Sequence, residues 1–530
     1  MGPVAIAMLA CMSCHQAIVE SYLKTGMGRS FFQLAESNRV EDFSRRNSFY
    51  HEPSKSRFTM TARSGRFFMK REHPNGTLEK QIHYALGSGN HARSYVNRTP
   101  QGRLLALPVS WYAEKGGYWE MAPGYDRPDH AGMRRKINYE CFFCHNAYPK
   151  IPAVDLDDPV YLEPLPLGID CARCHGPAEE HLRTPGRGTI LNPRKLSTER
   201  QLEICMQCHL EPTSQPLPHA LRRYDRAPFS FRPGEPLADF KVYFDHPANT
   251  AHSEKFEVVS APYRLKKSAC FLKSGGRMTC STCHDAHRRE AKNSCVGCHA
   301  EAHNQEQDCA ACHMAKRRPE DARRTTLTDH FIQRVPGKAD GPELPPYKGP
   351  VMAYYPPEVD ALYAAVAQVK DGTNLERGID QLRQFQKTFP RAKFGLELAE
   401  AYRNAGRAQE AIPLYEWALQ KMPSLMAAWR GLGLSRYPAV EPLLGGLKHS
   451  PADAFLLTLL GTARSNEADL RAAIAADPDL PEAYVNLGTI LARKGQREQA
   501  AALFRKALAV DPQNRAAEAN LRLALSGAAR

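Results

Sequence analysis

The sequence predicts a mainly α chain in two unlike parts: a domain of short helices and long loops cored by a bound cofactor, then an α-solenoid. Three observations carry this. A Cys-x-x-Cys-His pattern recurs seven times before residue 335. Six of the seven copies lie between Cys141 and His313, which leaves little sequence for a conventional apolar core. From about residue 358 the composition turns Ala- and Leu-rich, and a period of about 34 residues appears.

The pattern occupies Cys11/Cys14/His15, Cys141/Cys144/His145, Cys171/Cys174/His175, Cys205/Cys208/His209, Cys280/Cys283/His284, Cys295/Cys298/His299 and Cys309/Cys312/His313. Two thiols one helical turn apart suit thioether bonds to the two vinyl groups of a heme, and the adjacent His suits the proximal iron position. Zinc sites use Cys pairs but do not require His directly after each one. A thioredoxin-like reading needs a βαβ context that the pattern does not show. The expected cofactor is therefore heme c, seven copies, held covalently. Cys270 stands outside the pattern: a small buried residue on the plain reading, an extra ligand or reactive thiol on the sharper one.

The 530 residues are too many for one core. The mean hydropathy of −0.50 and the lack of an apolar run of about 18 residues point to a soluble chain with no membrane span. The formal charge is +14. Seven hemes would bring about 14 propionate charges, and ferric centres would return about +1 each. The Lys and Arg excess is expected to balance those propionates or to dock an acidic redox partner, and a nucleic-acid role is set aside.

Heme attachment through paired thiols implies a periplasmic or other extracytoplasmic location. A signal peptide is expected before Cys11, but the ten residues there have no basic start. Ala5-Ile6-Ala7 and Leu9-Ala10-Cys11 only weakly resemble processing sites. The expectation is a true start upstream, or a signal already removed.

Residues 1–335 form the expected cofactor domain. Residues 336–357, with seven prolines, read as a linker. Residues 358–530 read as tetratricopeptide repeats. Tyr484, Leu487, Gly488, Ala500, Phe504, Ala507 and Pro512 hold the repeat positions in the last clear unit; Leu398, Ala399, Tyr402, Ala411, Tyr415, Ala418 and Pro423 hold them in an earlier one. Small residues fall where two helices touch, and bulky ones where they interlock. Three to four repeats are expected, degenerate around 436–478, with a concave surface for a protein or peptide.

An iron with His on both faces carries electrons, and an iron with an open face can act on a small molecule. The candidate distal ligands are His51, His91, His130, His181, His246, His287 and His330, with His73, His83, His219, His252 and His303 as weaker ones. His181 and His287 follow their own proximal His too closely to cap the same iron, but are placed to reach a neighbouring one.

The strings Cys171–His181, Cys280–His287, Cys309–Met314 and Thr328–His330 resemble the multiheme c-type cytochromes related to the tetraheme electron acceptor of hydroxylamine oxidoreductase. More loosely, they resemble that enzyme's octaheme fold. The resemblance implies that His181 and His287 serve as distal ligands of hemes other than their own. The chain has seven motifs where the octaheme enzymes have eight, with no counterpart of their cross-linked catalytic site. The expected function is electron transfer through seven hemes, with the repeats docking a partner. The alternatives are an oxidoreductase acting on a small nitrogen or sulfur compound at one open heme, and an interaction scaffold with structural hemes. The sequence assigns no catalytic residue.

Overall fold

The computed structural model describes residues 6–152, 158–184, 188–212, 220–289, 295–299, 308–335, 347, 349–372, 374–388 and 390–526. His219, His303 and most of the 336–357 stretch lie outside them.

The N-terminal part corrects the mainly α expectation, because residues 31–136 are largely β. An antiparallel meander runs Ser48–His51, Ser56–Arg63, Arg66–His73, Gly76–Ile82. Its middle strands alternate. Phe58 and Met60 on one, and Phe67 and Met69 on the other, point inward and are buried, with Met60 opposite Met69. Arg63 pairs with Arg66 across the two-residue turn Ser64-Gly65, whose φ values are +50° and +69°. Alternation with a positive-φ dipeptide between two runs is a hairpin signal, and it was present in the sequence. A second, seven-stranded sheet is ordered Phe31–Gln33, Tyr84–Leu86, Ala92–Arg98, Leu104–Ala106, Arg135–Lys136. Val109–Tyr112 and Tyr118–Met121 branch from its middle. Trp111, Trp119, Tyr95 and Phe43 fill the space between the two sheets.

Residues 139–335 match the expectation of short helices and long loops. Most of their helices have four or five residues; Thr198–His209 is the exception.

The repeat region holds five helix pairs and a final helix among the described residues, more than the three to four repeats expected. The pairs are Ala361–Asp371/Leu375–Thr388, Ala392–Asn404/Ala408–Lys421, Met426–Ser435/Glu441–His449, Ala454–Arg464/Glu467–Ala476 and Pro481–Arg493/Arg497–Val510. Arg515–Ser526 ends the stack. The short helices of the third and fourth pairs explain why the period fades there. Ala500, Ala507 and Ala411 are fully buried where helices cross, beside Phe504 and Tyr415.

The two parts pack together at both ends of the stack. Near its start, Leu221, Val242 and Phe244 share one core with Leu362, Val366 and Phe394. The stretch read as a linker contributes the strand Met352–Tyr355, which pairs with Lys241–Asp245. Near its end, the stack meets the β region. Arg71 donates to the carbonyls of Ala509 and Val510, at the end of a repeat helix. Asn75 donates to Pro512 O (2.9 Å), and Lys80 pairs with Asp479 (2.7 Å). No described helix is long and apolar enough to cross a membrane.

Candidate cofactor-binding core

Each motif is set on or beside a helical turn, and several carry their own local cap. Asn138 accepts the Cys141 amide (2.8 Å), Asp308 the Ala310 amide (3.0 Å) and Ser197 the Arg200 amide (3.3 Å). Thr279 and Thr282 form a capping box around Cys280. Gly176, at φ +74°, ends the turn immediately after His175, a conformation a side chain would resist. His15 breaks the helicity of Ile6–Tyr22 (φ −122°, ψ 36°), so the first motif sits at a kink. Spacing of i and i+3 puts the two thiols of a motif on one face.

Among the described residues, none of the 15 cysteines forms a disulfide. Thiols of different motifs meet: Cys11 with Cys171, Cys144 with Cys208, Cys205 with Cys280, and Cys295 with Cys309. These contacts bring the motifs together. Burial pushes the Cys174 thiol up to about 11, whereas the hydrogen bond with Cys144 and the Arg173 guanidinium bring Cys208 down to about 5. Cys270 is half-buried on the turn Ala269–Lys273, and burial raises its thiol.

Six cysteines expected to attach heme stand outside these four meetings: Cys14, Cys141, Cys174, Cys283, Cys298 and Cys312. Cys14, Cys298 and Cys312 are exposed, and Cys283 is half-buried. The second thiols of four motifs, Cys14, Cys283, Cys298 and Cys312, thus lie at or near the surface of the polypeptide. The reason is the shortness of the turns. Cys283 and Cys298 are the last residues of Cys280–Cys283 and Cys295–Cys298, and Cys312 is next to last in Cys309–His313. A single turn has no following turn to cover its final side chains. Cys14 directly precedes the kink at His15, with Ser13 Oγ 3.7 Å from its Sγ.

Three imidazole pairs join a motif His to a candidate ligand from another part of the chain. The rings of His15 and His181 lie 6.4 Å apart at 14°. Those of His175 and His287 lie 6.0 Å apart at 19°. Those of His284 and His330 lie 6.1 Å apart at 35°. In each case the second His belongs to the segment that follows a later motif. His175 Nδ1 donates to Leu191 O (2.9 Å), His330 Nδ1 to Thr328 O (3.1 Å) and His313 Nδ1 to Gln333 O (3.0 Å). His287 Nδ1 faces Asp285 (3.4 Å). These contacts leave Nε2 as the lone-pair atom. The carbonyls of Leu191 and Gln333 carry no sequence signal, so sequence reasoning missed them.

The remaining candidates lie elsewhere. His51 contacts Ser54 (2.7 Å) and Asp126 (3.3 Å), and its ring stands 5.7 Å from that of His130, within the β region. Burial pushes His130 down to about 4. His91 is exposed at the start of Ala92–Arg98. His246 is buried beside His252 and Tyr347, with neither ring nitrogen hydrogen-bonded; burial and then Lys255 push it down to about 3. Among the described residues, no imidazole pairs with His145 or His209 at the spacing of the three pairs. Burial lowers His145 to about 4.

Comparison with known proteins speaks to the C-terminal part. The tetratricopeptide-repeat family profile matches residues 481–514. No curated protein matches the chain. Among solved structures, a MamA double mutant (RS-1) is similar at 19% identity and TM-score 0.27, over 29% of this chain and 95% of that one. TTC0263, a thermophilic tetratricopeptide protein of Thermus thermophilus, is similar at 18% identity and TM-score 0.26, over 31% and 97%. YrrB, described as having an unusual peptide-binding site, is similar at 18% identity and TM-score 0.27, over 30% and 90%. The C-terminal part of the chain is a region of tetratricopeptide-like helical repeats, joined to an N-terminal part that mixes antiparallel sheets with short helices.

Proposed function

We propose that residues 1–335 hold seven covalently attached hemes c and pass electrons along them outside the cytoplasm, while the repeat region docks a protein or peptide. One observation carries this reading: three motif histidines each face a non-motif histidine at 6.0–6.4 Å. Two metal–nitrogen bonds of about 2 Å each, with each ring centre about 1 Å behind its nitrogen, span roughly that distance. Ordinary ring pairs share the range. What favours ligation is that each of the three pairs combines one motif His with one spare His.

The residues present fit the group. Seven thiol pairs at i and i+3 would form the thioethers, and His15, His145, His175, His209, His284, His299 and His313 would be proximal ligands. His181, His287 and His330 would be distal ligands opposite His15, His175 and His284. His246, buried with two unpartnered nitrogens, is a further donor in want of a partner. When bound, iron porphyrin supplies one-electron exchange at the metal. The chain's contribution is to fix the imidazoles through the Leu191, Thr328 and Asp285 oxygens and to bring the motifs together. A redox partner protein is implied at each end of such a row.

A second reading, oxidoreduction of a small nitrogen or sulfur compound, is favoured by the absence of a paired imidazole at His145 and His209 among the described residues. Heme counting and low-temperature electron paramagnetic resonance test both. Seven hemes resistant to acid–acetone support the first reading, and four or fewer sink it. A high-spin iron in the oxidised protein supports the second.

A further inference from the structure

The thiols of Cys144 and Cys208 meet beside a buried cation. Arg173 occupies an interior position of the Cys171–His175 motif and is 1% exposed. Its Nη2 donates to Phe143 O (3.0 Å) and lies 3.7 Å from Cys208 Sγ. Its guanidinium carbon stands 4.0 Å over the Phe143 ring and 5.0 Å over the Tyr148 ring. Nε and Nη1 have no hydrogen-bond acceptor. One side chain therefore touches three motifs: its own, that of Cys141–His145 through Phe143, and that of Cys205–His209 through Cys208.

No carboxylate lies at ion-pair distance from Arg173 among the described residues; the Asp170 carboxyl feels its charge, but burial outweighs that and pushes Asp170 up, toward the neutral acid. Asp170 turns its Oδ1 to the Ala172 amide (3.1 Å). Tyr148 donates its hydroxyl to Phe231 O (3.1 Å). Lys241 also approaches Phe143, 4.3 Å from the ring centre, but it is compensated by Glu140 at 3.2 Å. A buried cation with no carboxylate at ion-pair distance is costly, and it is tolerated where something else benefits from its field. Once the thiols are thioethers they carry no charge and cannot compensate it.

We propose that Arg173 is a tuning residue that raises the reduction potential of the hemes attached at Cys144 and Cys208, making this junction the point where electrons collect. Adding one electron to a ferric iron lowers the local charge by one, and a nearby buried cation favours that product. The electron comes from a neighbouring reduced heme, which becomes ferric, so no further reductant is needed. The inference rests on the heme reading above.

The test uses the full-length holoprotein with Arg173→Gln and Arg173→Lys. Heme is counted first by pyridine hemochromogen: a wild-type count of four or fewer overturns the underlying reading. With seven hemes present, spectroelectrochemical titration of R173Q is expected to move one or two of the seven components to lower potential, while R173K keeps them near wild type. An unchanged titration in R173Q overturns the tuning role and leaves the heme reading standing. If R173Q does not fold, Arg173→Met, an apolar replacement of similar length, carries the same expectation and the same refutation.

Discussion

His287 faces His175 across 6.0 Å although the two belong to different motif segments, and its Nδ1 is turned toward Asp285. The same facing relation holds for His181 with His15 and for His330 with His284. Three of the later motifs are thus followed by an imidazole that faces an earlier one, and the chain interlocks those segments.

On the proposed heme reading, replacing His287 or His181 with Ala should leave the heme count at seven, because thioether attachment would not involve the distal ring. It should convert one low-spin iron to high spin and create one centre that binds carbon monoxide when reduced. Electron paramagnetic resonance and carbon monoxide difference spectra read both effects. Unchanged spin states in both variants would mean that the paired rings are packing contacts.

Arg71→Met should loosen the end of the repeat stack from the β region. Arg71 is 1% exposed and is bound to two carbonyls at the end of Arg497–Val510. Leaving those acceptors unpaired costs about 1–3 kcal/mol. The melting temperature should fall and cleavage near residues 509–512 should quicken in limited proteolysis. Equal stability and protection would show that the junction does not depend on this contact.

The same junction should weaken in acid. Burial raises the Asp158 carboxyl, but the hydrogen bonds from Arg103 and the charge of Lys136 outweigh it and hold it at about 2. Arg103 also donates to Ala476 O (2.8 Å), and Lys136 pairs with Asp477 (3.1 Å), both in the repeat region. A carboxyl lowered on folding adds stability above its unfolded pKa of about 3.9 and loses it as pH falls through about 2. The contribution is about 2 kcal/mol. Asp158→Asn should remove about 2 kcal/mol of the stability change between pH 4 and pH 2 measured by denaturant titration. A wild-type slope in the variant would assign the acid sensitivity to another group.

Gly488→Val should destabilise the last repeat. A Cβ there would lie 2.6 Å from Phe504 Cε1, and the helices Pro481–Arg493 and Arg497–Val510 cross at this point. Overpacking of this kind costs about 1–3 kcal/mol. Helical circular dichroism should melt earlier in the variant than in wild type, and a coincident melt would show that the crossing can spread to admit the side chain.

The sequence by itself determined what is short-range. Two thiols at i and i+3 with His directly after them need no tertiary structure to be recognised, because one helical turn sets their geometry. The repeat positions of the last unit, from Tyr484 to Pro512, are legible for the same reason: each pair buries its small and bulky residues against an adjacent helix. The β region was legible in part, in the alternation of Phe58, Met60, Phe67 and Met69 about Ser64-Gly65, but the density of motifs drew the reading toward helix and loop. Only the tertiary structure decided which thiols lie inside and which histidines face one another. Cys144 is held against Cys208, while Cys312, at the same place in its own motif, is exposed. His51, His130 and His181 are the same residue type in similarly polar strings, yet two pack together in the β region and one meets His15. Tertiary structure also decided that Arg173 is buried with two nitrogens lacking hydrogen-bond acceptors and that Arg71 caps a helix more than 400 residues later. Such contacts depend on how distant segments share one interior, and the pairing energy of two side chains far apart in the chain leaves no local trace in either.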